Sequence, residues 1–269
     1  MILAATAVVL AGLAGWVLTR PALGVGAEGA PAIAVAPAAL LARAEAGEGL
    51  PAVGVGTQSG APDATTPTPT ATPTTAVNPM VPVAVAPSWA ARIASATGIP
   101  LVAVTAYADA TLREGQSDPG CALSWNTLAG IGEVESGQGT HGGARLEADG
   151  EDSAAILGPA LNGSGSTTKA ANMDPAVDGS GAWARAVGPL QFLPSTWQQW
   201  GADGNGDGIR DPSNIFDAAR AAADYLCSSG QSLTTGPGWS AAVLSYNHET
   251  SYVNAVRDAA NRYAEEADS

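Results

Sequence analysis

Residues 51–87 cannot build a packed core, and that confines the fold of this chain to its second half. The tract is dominated by Pro, Thr, Gly and Ala and peaks in Thr65-Thr-Pro-Thr-Pro-Thr-Ala-Thr-Pro-Thr-Thr. Proline has no amide donor and fixes φ, so such a run favours extended, polyproline-like chain over helix or sheet. It reads as a stalk or spacer, and its threonines suit O-glycosylation. Before it, residues 28–50 are Ala-rich, with room for a short helix around Ala38 to Ala46. After it, residues 88–269 are long enough for one domain with a real core.

The N-terminus points to export. Ile2 to Leu18 is almost wholly apolar, broken only by Thr6, and is followed by Arg20 and Pro21. A bilayer span needs about 20 apolar residues, so a secretory signal fits better, with Val25-Gly26-Ala27 as the small-residue cleavage pattern. No Lys or Arg precedes the run. Two readings therefore stay open, a signal peptide over residues 1–27 or an uncleaved membrane anchor. Both place the domain outside the cytoplasm, in the cell wall, a periplasm-like space or the medium.

Charge excludes several partners. The formal net charge is −14 and Lys169 is the single lysine. A nucleic-acid binder would carry a basic stripe, and a protein held on anionic lipid a polybasic patch. Neither is present. The two histidines, His141 and His248, give poor support for a zinc site or a Ser-His-Asp triad. No Walker loop or dinucleotide fingerprint occurs, so no organic cofactor is expected. Cys121 and Cys227 both fall in the domain. In an exported protein they are expected to pair; two buried free thiols would be the cytosolic alternative.

Helical periodicity dominates the domain. The spacing predicts helices over 88–97 (capped at Ser88), 101–112 and 123–135. Two more follow at 217–226 (capped by Asp217) and 239–246. A last amphipathic helix carries Val253, Val256, Ala260 and Tyr263 on one face. Residues 140–181 are rich in Gly, Asp, Asn and Ser and read as a long irregular excursion, a length usually functional in a compact domain. No segment alternates convincingly as a strand.

Four short motifs carry chemistry. In Gly130-Ile-Gly-Glu-Val-Glu-Ser-Gly-Gln-Gly139, Leu128, Ile131 and Glu135 share one helical face while Glu133 lies nearly opposite. A carboxyl at the end of an apolar stripe is desolvated and held protonated, as a general acid requires. A glutamate at a frayed helix end, paired with an arginine, fits the same run. In Gly188-Pro-Leu-Gln-Phe-Leu-Pro-Ser-Thr-Trp197, Gln191 and Phe192 sit between two prolines, and Ser195 can cap a helix from Thr196. An amide beside an aromatic can hold a sugar; a turn with a core phenylalanine fits as well. Ser245-Tyr-Asn-His248 offers the phenol of Tyr246 and the amide of Asn247.

The fourth motif is sharper. Asp203-Gly-Asn-Gly-Asp-Gly-Ile-Arg-Asp211 places oxygen ligands Asp203, Asn205, Asp207 and Asp211, with the backbone carbonyl of Ile209, in the order of an EF-hand calcium loop. Asn214 stands where the bidentate glutamate is expected, which should weaken affinity. An Asx-rich turn without an ion is the alternative, but crowded carboxylates favour calcium.

In this order the motifs resemble the lytic murein transglycosylases of the membrane-bound B type, in their secreted actinobacterial form, over about Ile99 to Val256. The resemblance implies a mainly helical, lysozyme-like fold and a single catalytic domain acting on peptidoglycan glycan strands. It implies cleavage of the β-1,4 bond between N-acetylmuramic acid and N-acetylglucosamine by Glu135 alone, leaving a 1,6-anhydro sugar. It also implies that Ser136, Gln191, Tyr246 and Asn247 line the glycan groove and that calcium is structural. A hydrolytic muramidase is the nearest rival and needs a second carboxylate, for which Glu147, Asp149, Glu151 and Asp152 are candidates. A wall-binding module with an idle Glu135 is the third reading.

Overall fold

The computed structural model describes residues 84–164, 169–172, 174–179 and 181–269. The expected signal or anchor segment and nearly all of the linker lie outside these residues. The first helix, α1 (Pro87–Thr97), starts one residue before the expected Ser88 cap. Ala86 is its N-cap and Pro87 its first residue, where a missing amide costs nothing. Gly98, with φ 70°, closes it. The next, α2 (Leu101–Ser117), runs a turn and more past the expected Leu112. A connection through Cys121 leads to α3 (Trp125–Ser136).

Between α3 and the next long helix the chain is irregular. It includes the short α4 (Pro175–Asp178) and α5 (Pro194–Trp200), with Ser195 inside α5 rather than capping it. Isolated antiparallel bridges, among them Leu157 with Val187 and Ala171 with Trp183, stitch this excursion together. Among the described residues no longer strand forms. The last three helices are α6 (Ile215–Cys227), α7 (Gly236–Tyr246) and α8 (Thr250–Ala267). Asn214, not Asp217, caps α6, accepting the amide of Phe216.

Small residues let these helices approach closely. α2 packs along α6, and both bury alanines on the shared side, Ala103, Ala106 and Ala110 against Ala218, Ala219 and Ala222. α3 packs along α8, where Gly130 is needed because a Cβ there would stand 2.7 Å from the carbonyl oxygen of Val256. Tyr107 donates to Oε1 of Gln138 at 2.7 Å, and Gln138 Nε2 donates to the Tyr263 hydroxyl at 3.0 Å. That buried network joins α2, the end of α3 and α8. A disulfide links Cys121 to Cys227 with Cα atoms 5.5 Å apart. Closing so long a loop is worth roughly 4–5 kcal/mol at most in the chain-entropy account.

The result is a mainly helical single domain, as the periodicity predicted. No helix among the described residues is long and apolar enough to cross a membrane.

Candidate active site

Glu135 lies in the last turn of α3, which ends because Gly137 turns left-handed at φ 61° and returns its amide to the carbonyls of Glu133 and Gly132. The residue is half-buried. Its Oε1 accepts a hydrogen bond from the Tyr252 hydroxyl at 2.6 Å, from the first turn of α8. Burial pushes the carboxyl up to about 8, against the opposing pull of the Tyr252 bond. The phenols of Tyr246 and Tyr252 are both raised, first by burial and then by the charge of Glu135. A desolvated acid bonded to one buried phenol, with a second phenol near enough to feel its charge, is what this corner contains.

Glu133 has a different fate. It is ion-paired with Arg262, whose guanidinium lies 4.4 Å from the centre of the Tyr263 ring. The two glutamates do occupy opposite faces, and only Glu135 reaches the tyrosine corner.

The residues expected to line a glycan groove are largely occupied with the backbone of one turn. Val187 and Phe192 bridge its two ends. Gly188 (φ 77°) and Gln191 (φ 50°) are left-handed, and a side chain at Gly188 would collide with the Pro212 carbonyl. Three successive carbonyls of the turn are each taken. Gln191 Nε2 donates to Gly188 O at 2.9 Å, and also to Ile156 O at 3.3 Å. Ser136 Oγ donates to Pro189 O at 2.6 Å while accepting the amide of Gly139 at 2.7 Å. The Tyr246 hydroxyl donates to Leu190 O at 2.8 Å. Ser136 and Tyr246 therefore fasten the turn to α3 and α7, and Gln191 ties it to the backbone at Ile156.

Phe192 is a core residue. It is 2% exposed and packs edge-on against Trp197 and Tyr246, with ring centroids 5.2 and 5.8 Å away, so no ring face is left for a sugar. Asn247 is also buried, and its Oδ1 accepts the amide of Glu249 at 3.2 Å. That bond shapes the short link between α7, which ends in Tyr246, and α8, which carries Tyr252 in its first turn.

Tyr252 is the residue the sequence reading passed over. The stripe on α8 was drawn through Val253, whereas the buried set is Tyr252, Val256, Ala259, Ala260 and Tyr263. Moving the stripe by one residue would have found it.

The 203–211 loop is held together by its own amides. Asp203 accepts from Gly206 at 2.6 Å and Gly208 at 2.9 Å, and Asp207 accepts from Ile209 at 2.7 Å. Asn205 Nδ2 donates to Asp207 at 2.9 Å, and Asp211 accepts from Ser213. Asp217, read from sequence as a helix cap, instead reaches across the loop. It accepts from the amides of Gly204, Asn205 and Asp211.

The donor chemistry, all oxygen, suits calcium. So does Asp152, whose carboxylate oxygens are both buried without a hydrogen-bond partner. Burial, then the charges of Glu151 and Asp211, push it up to about 8. A nearby cation would relieve both features. The arrangement fits less well: among the described residues no three acidic, cysteine or histidine side chains converge closely enough to hold an ion.

Comparison with known proteins agrees with this domain in part. No curated protein and no solved structure matches the chain. One family model does, over residues 167–243. That stretch contains the 188–191 turn, the 203–211 loop and Cys227, and it stops short of Tyr246 and Tyr252; Glu135 lies before it. The C-terminal region of this chain is thus similar to a Transglycosylase SLT domain.

Proposed function

We propose that this protein is a lytic transglycosylase that cleaves the β-1,4 bond between N-acetylmuramic acid and N-acetylglucosamine in peptidoglycan and leaves a 1,6-anhydro end. One observation carries the reading. Glu135 is held up to about 8 by burial, and no second carboxylate contributes to the shift. A single group able to give a proton and take it back is what an intramolecular transfer needs. With Oε1 engaged by Tyr252, Oε2 is the oxygen that carries the proton. It protonates the glycosidic oxygen as the C1–O bond breaks. The resulting carboxylate accepts the proton of the muramoyl 6-hydroxyl as that oxygen closes on C1. No water is consumed, and Glu135 ends protonated again.

A hydrolytic muramidase is favoured less. Its second carboxyl would stand about 5–9.5 Å from the first. The candidates are engaged elsewhere: Glu147 pairs with Arg145, Asp149 accepts the amide of Glu151, and Glu151 accepts Asn214 Nδ2. Asp152 lies where Asp211 is felt. A wall-binding module would have no use for a desolvated acid. A mass spectrum of the fragments released from purified peptidoglycan tests the reading. Products lighter than reducing ends by one water support it; reducing ends would make the protein a hydrolase, and no release a binder.

The disulfide and the expected leader support an exported protein, since such bridges persist in oxidising compartments. Calcium in the 203–211 loop is retained as part of the proposal, with a role in stability rather than bond cleavage.

A further inference from the structure

The excursion between α3 and α5 carries a surface that the proposed reaction does not use. Its segment 183–187 is extended, bridged to Ala171 at Trp183 and to Leu157 at Val187. Alternation along an extended chain sends Ala184 and Ala186 inward, where both are buried, and puts Trp183 and Arg185 on the other face. Trp183 is 36% exposed, unusual for the largest apolar side chain. Arg185 is half-buried and donates from Nη1 to Gly158 O at 2.9 Å. Among the described residues it enters no ion pair. Asp178, the acidic group tied to it, is turned to the backbone amide of Arg185 and to Asn172.

This pair is connected to the candidate active site through short links. Gly158, whose carbonyl holds Arg185, lies against Gln191: a Cβ on it would stand 2.9 Å from Gln191 Oε1. From Arg185 to Gly188 is about 10 Å of extended chain, and the turn that begins there is pinned to α3 by Ser136. Among the described residues Arg92, Arg185 and Arg210 enter no ion pair, and of these Arg185 is the one that shares an extended segment with an exposed tryptophan, which suits it to an anion brought by the substrate. A guanidinium favours a planar carboxylate, and an indole face favours the C–H face of a pyranose.

We infer that Trp183 and Arg185 form a peptide-stem subsite, in which Arg185 takes a carboxylate of the stem peptide and Trp183 carries the adjoining sugar. The inference rests on the peptidoglycan reading above and deepens it. The strand would run from Glu135 along the 188–191 turn to this face, so that strands bearing stems are bound better than bare ones.

The test compares glycan strands bearing stems with the same strands stripped by an amidase. Wild type should show a higher kcat/KM on stem-bearing strands. Arg185→Gln should lose about tenfold there, mainly in KM, and lose nothing on stripped strands, while Arg185→Lys recovers part of the loss. Trp183→Ala should weaken both substrates. An equal loss on both substrates for Arg185→Gln, or no loss on either, overturns the stem role. A variant with a lowered Tm is replaced in that comparison by Arg185→Lys, which must then retain a preference for stems. If wild type releases no anhydro product, the transglycosylase reading fails. The subsite is then judged by cosedimentation of wild type and Arg185→Gln with the two strand types, where equal binding of both by wild type overturns it.

Discussion

The Tyr252 hydroxyl donates to Oε1 of Glu135 across 2.6 Å, and that bond joins the last turn of α3 to the first turn of α8. It orients the carboxyl, and it also sets the acid's strength, since a donor to the charged form lowers a pKa that burial raises. Tyr252→Phe should therefore move the alkaline limb of the kcat/KM profile upward. The limb reports loss of the acid form, near pH 8 in wild type. A limb that stays in place or moves down would show that the phenol does not act on Glu135.

Glu135 and Glu133 should separate cleanly on substitution. Glu135→Gln should lower kcat by about a hundredfold to ten-thousandfold, the usual worth of a general acid–base group. Glu133→Gln breaks a half-exposed ion pair with Arg262, and should cost no more than about 1 kcal/mol of stability with turnover kept. Turnover retained by the first variant and lost in the second would reverse the assignment.

The same carboxyl makes stability depend on pH. Its folded pKa, about 8, lies above the 4.5 of the free side chain. The folded state therefore holds the proton more tightly, and this stabilisation is complete below the unfolded value and lost as pH rises toward about 8. Urea denaturation of wild type and Glu135→Gln across pH 5 to about 8 should show the variant gaining on wild type as pH rises. The expected gain is on the order of a kcal/mol or more. Parallel curves would mean that the carboxyl is not desolvated.

Calcium should raise the melting temperature through the 203–211 loop. An ion that binds only the folded state adds about 2.7 kcal/mol at a hundredfold excess over Kd. Asp203→Ala with Asp207→Ala should abolish the response, and chelation well below the melting transition should leave activity nearly unchanged. A melting curve indifferent to calcium and chelator would make the loop an Asx-rich turn. Loss of turnover without loss of fold would make the ion part of the chemistry.

What could be read in advance follows from the range of the interactions. Local periodicity was enough for most helices and for the opposite faces of Glu133 and Glu135, because both depend on residues a few positions apart. The cysteine pair was legible from count and compartment. The jobs of Ser136 and Tyr246 were not, since each bonds a carbonyl more than 50 residues away in sequence. Nor was the burial of Phe192, because a single aromatic between prolines has no period to declare its face. The start of α6 went to Asp217 instead of Asn214 because both are good capping residues. Only the fold shows that Asp217 is occupied by the loop amides.

The Cys121–Cys227 bridge spans most of the parts that surround Glu135, while Tyr246 and Tyr252 lie beyond it. A protease cutting the excursion between Leu157 and Val187 would produce two polypeptides. One would carry Glu135 and the other Tyr252, and they would remain covalently joined. Such a nicked molecule should migrate as one species until reductant is added and then as two. Its acid and its phenol would stay in register across the break, held by α3 against α8 and by the bridge. The domain is therefore built to stay in one piece after a single cut in this segment.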